Sequence, residues 1–119
     1  MSCNIKKALL TISVLAALAT TSAPSFAWTC GSNSICVETK PRGSTLLVRY
    51  RAEAPVTHVN IIPIVPHGGQ FEVGSPAGAF SLPIGFESRV RFKMQKCVRG
   101  GIGQRSTCGD WVIFSRNVG

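Results

Sequence analysis

The sequence predicts an all-β fold: a small antiparallel β-sandwich of six or seven strands, held by two disulfides and preceded by a cleaved signal helix. Three observations carry this. Apolar residues recur at every second position in several short runs, which is the spacing of half-buried strands. Turn-forming Gly, Pro and Ser clusters interrupt these runs at intervals of roughly ten residues. Beyond the N-terminal segment no stretch shows the helical period. A small barrel would use the same alternation.

The first 27 of the 119 residues have the order of an export signal. Lys6 and Lys7 supply the positive start, Ala8 to Ala19 is an uncharged apolar run, and Ser25-Phe26-Ala27 places small residues ahead of a cut before Trp28. The run of about 12 residues is shorter than the roughly 20 of a spanning helix. Cys3 precedes the run, so it cannot be a lipid-accepting cysteine. The expected mature domain is residues 28–119, periplasmic or secreted. Cleavage removes Lys6 and Lys7, so thirteen basic residues become eleven and the net charge falls from +8 to +6. A chain of this size buries only about two-thirds of its unfolded surface, which allows one core and no interdomain cleft.

Export reclassifies the cysteines. Cys3 leaves with the signal, while Cys30, Cys36, Cys97 and Cys108 form an even set in an oxidising compartment. Of three possible connectivities, Cys30 with Cys36 and Cys97 with Cys108 is favoured, because each pair brackets its own turn: Gly31-Ser32-Asn33-Ser34 and Gly100-Gly101-Ile102-Gly103. No metal is expected, since neither gap has the tight two- to four-residue spacing of a zinc pair.

The first strand of the domain is Ile35 to Thr39. From Thr45, Leu46, Val48 and Tyr50 point one way while Leu47, Arg49 and Arg51 point the other. Ala54-Pro55 ends this strand, and Val56 to Val65 follows as a β-branched run in which Pro63, lacking an amide hydrogen, marks an edge or bend. His67-Gly68-Gly69 turns into the short strand Phe71 to Val73. After Gly74-Ser75-Pro76-Ala77-Gly78, residues Phe80, Leu82 and Ile84 share a face of the strand Ala79 to Ile84. In Arg89 to Cys97 the alternation is clearest: Val90, Phe92 and Met94 against Arg89, Arg91, Lys93 and Gln95. Trp111 to Ser115 is the last strand.

The run from Phe80 through Leu82, Ile84 and Val90 to Cys97 is similar to the passage of a fibronectin type III-like, or immunoglobulin-like, sandwich from its fifth strand into its sixth. Ser106 to Trp111 resembles the following hairpin of exported members that carry a cysteine on each side. The resemblance spans about Ile35 to Phe114. It departs from the family where Val90 stands in place of the tyrosine that opens the sixth strand, and where Tyr50 is the nearest large aromatic to the second-strand tryptophan. It implies a binding or spacer module without a shared catalytic site or cofactor.

The residues themselves give little support to catalysis. Glu38, Glu53, Glu72, Glu87 and Asp110 are scattered, without a pair spaced as an acid/base couple. His58 and His67 flank the apolar strand and read as surface or edge histidines. Gly101-Ile102-Gly103 lies between strands rather than before a helix, which argues against a phosphate loop. No enzyme is expected.

Positive charge is the functional signal. Arg89, Arg91 and Lys93 lie on one side of a strand about 6.5–7 Å apart, and Lys96, Arg99 and Arg105 continue the charge into the hairpin. Six of the eleven basic residues of the mature chain fall within residues 89–105. The plain reading is a solvated face that aids solubility. The sharper one is an anion-binding surface for an anionic envelope polymer or an acidic protein. Nucleic acid is disfavoured, because Phe92 is the stripe's one aromatic and points to the opposite face. Trp28 and Trp111 are candidate sugar platforms, although core packing beside a disulfide is the favoured place for Trp111. A second possibility is a small secreted effector or inhibitor that inserts the Cys97–Cys108 hairpin into a partner's cleft.

Overall fold

A computed structural model of the chain describes residues 27–119. The expected signal helix and all but the last residue of the 1–27 segment lie outside the described residues. Nine strands follow: β1 Thr29–Cys30, β2 Ile35–Arg42, β3 Thr45–Ala52, β4 His58–Val65, β5 Phe71–Val73, β6 Ala77–Pro83, β7 Arg89–Val98, β8 Thr107–Cys108 and β9 Val112–Asn117. They form two antiparallel sheets, one ordered β1-β2-β3-β6 and the other β5-β4-β7 with β8 and β9 both on the far side of β7. The described residues contain no helix.

The alternation read from the sequence is the alternation that packs. Ile35 and Val37 of β2, Leu46, Val48 and Tyr50 of β3 and Leu82 of β6 meet Val59 and Ile61 of β4, Val90, Phe92 and Met94 of β7 and Phe114 of β9. Each fully buried side chain of this kind contributes roughly 1.5–3 kcal/mol. Phe92 is the hub. It stacks on Phe114 with ring centroids 5.7 Å apart and meets Phe80 edge-on at 5.9 Å, joining the two sheets through aromatic contacts.

Both bridges form as expected, Cys30 to Cys36 and Cys97 to Cys108. Each joins residues that face one another across an antiparallel pair, and each defines a two-residue strand, β1 or β8, too short to show a period in the sequence. Two covalently closed hairpins suit an oxidising, extracytoplasmic compartment.

Pro63 sits where the β4–β7 register shifts, between Pro63 and Val65, as its missing amide requires. The surface reading of His58 is corrected. It is 4% exposed, opposite Cys97, with Thr57 Oγ1 3.0 Å from its Nδ1. Its neighbour Asn60 donates to Gln95 Oε1 and to Cys97 Sγ, so this end of β4 is a buried polar patch beside the bridge.

Candidate cationic surface on the outer face of β7

Because Val90, Phe92 and Met94 are committed to the core, the pleat turns Arg89, Arg91 and Lys93 to the outer face of the β5-β4-β7-β9 sheet. Their cross-strand neighbours on β9 are Asn117, Ser115 and Ile113, and on β4 Arg91 faces Val65 and Lys93 faces Ile62. The row is thus bordered by neutral residues. Arg89 donates from Nε to Asn117 Oδ1 at 3.2 Å, which orients its guanidinium. Lys93 holds its ammonium 5.1 Å from the centre of the Trp111 ring, a cation–π geometry.

One carboxylate shares this face: Glu72 of β5, in register with Asn60 of β4 and Gln95 of β7, is engaged by Arg99. The ion pairs among the described residues are Arg49 with Glu38 and Arg99 with Glu72, so none of the three cations of the row is neutralised by an acid. Three like charges this close repel one another, and an anion laid along the strand relieves that repulsion.

The six basic residues grouped by sequence do not form one patch. Lys96 shares the parity of Met94, not of Lys93, and its Nζ donates to the Glu53 carbonyl at 2.8 Å. Arg99 follows β7 at the start of the hairpin, and its guanidinium is 3.2 Å from Oε2 of Glu72 on β5. Arg105 is exposed in the hairpin loop. Arg89, Arg91 and Lys93 remain as the coherent set. Trp111 is not part of the core cluster. It is half-exposed beside the row, because the turn at Gly109 and Asp110 leads out of β8 before β9 begins, which corrects the core placement expected for it.

Sequence reasoning passed over a second cation–indole pair. Trp28, two residues ahead of the Cys30 bridge, lays its ring against Arg51, whose Cζ is 4.5 Å from the ring centre, and Arg49 is 5.9 Å away. These arginines face outward from the other sheet, and Arg49 is held 2.6 Å from the nearly buried Glu38. The available signal was the Arg49-Tyr50-Arg51 alternation, the same pattern that marks β7. Comparisons of the chain with protein families, with curated proteins and with solved structures find no match.

Proposed function

We propose that this chain is an exported, non-enzymatic binding module of the fibronectin type III-like kind, which holds an anionic glycan of the cell envelope on the outer face of β7. The observation that carries the reading is the row Arg89, Arg91 and Lys93, free of carboxylate partners among the described residues and ending at the Trp111 ring. Indole offers a face to sugar C–H groups while the cations take carboxylate or phosphate, so the set favours an acidic sugar over a bare ion.

The fibronectin-like assignment is supported by strand order. β2-β3-β6 packs against β5-β4-β7-β9, with the chain crossing between sheets after β3, after β5 and after β6. Periplasmic or secreted placement is supported by the signal-like residues 1–27 and the two bridges. The non-enzymatic reading rests on where reactive groups are used: four cysteines in bridges, Glu38 and Glu72 in ion pairs.

The test is binding of the processed chain to an acidic polysaccharide and, separately, to lipopolysaccharide, at low and high salt. Binding that weakens as salt rises is expected, because exposed charges are screened within about 10 Å at 0.1 M. No binding to either at low ionic strength overturns the reading.

One observation favours a second reading, a secreted effector or inhibitor. Ile102, at the tip of the Cys97–Cys108 hairpin, is fully exposed, an apolar residue on a covalently closed loop that loses little entropy on docking into a cleft. A single stoichiometric protein captured from envelope extract, and lost with Ile102→Asp, would favour it.

A further inference from the structure

The sandwich carries a cation–indole pair on each outer face, and each indole hangs from a disulfide. Trp111 follows Cys108 and meets Lys93 on one sheet, and Trp28 precedes Cys30 and meets Arg51 on the other. On the Trp28 side the neighbouring strand β6 contributes small side chains, Ala77 and Ala79, opposite Arg51 and Arg49. They leave a hollow of about 520 Å³ bordered by Trp28, Leu47, Arg49 and Arg51. Within it Arg49 is already neutralised by Glu38, whereas among the described residues Arg51 has the indole and no carboxylate as partner.

We propose that this hollow is a second acidic-sugar site, in which a sugar ring stacks against Trp28 and its carboxylate pairs with Arg51, so that one domain bridges two strands of an anionic polymer. The inference shares its ligand class with the β7 reading but stands on different residues. Ala77 and Ala79 are what make room for a ring: a larger side chain at either would fill the space that Trp28 and the arginines frame. The two faces lie on opposite sides of a sandwich whose sheets pack about 10 Å apart, too far around for one short oligosaccharide to reach both. Bridging therefore follows from geometry once both faces bind.

The experiment uses the processed chain starting at Trp28 and a short oligogalacturonate as probe, with stoichiometry read by calorimetry. Trp111→Phe leaves Trp28 as the one indole, because the chain has two tryptophans, and its fluorescence then reports the second site directly. Two oligosaccharides per domain are expected. Arg51→Glu should weaken one of them by about tenfold or more, the equivalent of 1.4 kcal/mol, and should leave the other unchanged. Long polygalacturonate should turn turbid with the wild-type chain near equivalence, and much less so with Arg51→Glu. Arg105→Glu, which removes the same charge from the hairpin, should keep both the stoichiometry and the turbidity.

One oligosaccharide per domain, insensitive to Arg51→Glu but lost with Arg91→Glu and Lys93→Glu together, overturns the second site and leaves the β7 reading standing. One that is lost with Arg51→Glu and indifferent to Arg91 and Lys93 upholds the Trp28 site and overturns the β7 site. Turbidity abolished equally by Arg105→Glu marks unspecific charge condensation and overturns the bridging claim.

Discussion

Tyr50 of β3 donates its hydroxyl to the backbone carbonyl of Ser75 at 2.7 Å, fastening the turn between β5 and β6 to the core. The ring is 2% exposed and lies 6.2 Å from Phe80, so one residue supplies both a core aromatic and a polar tether. In Tyr50→Phe the packing stays and the bond goes, which should cost about 1 kcal/mol in urea unfolding. Burial also raises the hydroxyl's pKa above its ordinary 10.0, so the folded chain keeps this proton when the unfolded chain releases it. The contribution is therefore complete below pH 10 and is lost as pH climbs past that value, and Tyr50→Phe should flatten the alkaline decline.

Gly100 and Gly101 stand side by side in the hairpin and should respond very unequally to substitution. A Cβ on Gly100 would sit 2.8 Å from the Gln104 carbonyl oxygen and closer still to that of Arg105, both backbone atoms with nowhere to go. On Gly101 the nearest atom is a side-chain oxygen at 3.9 Å. Gly100→Ala should destabilise by about 1–3 kcal/mol and Gly101→Ala by less than about 0.5, read as shifts in thermal midpoint.

Phe92 joins Phe80 of one sheet to Phe114 of the other. Phe92→Ala should cost about 3–5 kcal/mol, a large part of the 5–15 kcal/mol of a typical domain, whereas Phe92→Leu keeps most of the volume and should cost clearly less. Chemical denaturation of both variants checks the order.

The Cys97–Cys108 bridge closes a hairpin whose residues from Gly101 to Asp110 are exposed. Replacing both cysteines by alanine should lower stability by about 2–3 kcal/mol through the freed unfolded chain. It should also loosen Trp111, so that its fluorescence shifts toward that of a solvated indole while the β3 and β7 core remains folded.

Much of this architecture is legible along the chain, because period-two alternation is a local property. Leu46, Val48 and Tyr50, and again Val90, Phe92 and Met94, show their inward faces without knowledge of the partners. The same rule, carried two residues past Met94, puts Lys96 on the Met94 side; proximity in sequence groups it with Lys93, and the pleat separates them. Trp28 against Arg51 is not local. It depends on β1 pairing with β2 across a bridge, and on Cys36 lying opposite Arg51. The outward seat of Trp111 is non-local for a related reason: β8 and β9 pair with different parts of β7, and the turn between them decides which way the indole faces.

The β7 row is tested most directly by the affinity of residues 28–119 for an acidic polysaccharide, compared between wild type, the double reversal Arg91→Glu with Lys93→Glu, and Arg105→Glu with Arg99→Glu as a charge-matched control. The β7 reversal should lower affinity by about a hundredfold or more at low salt, roughly two ion pairs' worth, with an unchanged thermal midpoint, while the hairpin control changes affinity far less. Equal losses in the two double variants, or a greater loss in the hairpin control, would contradict the β7 reading.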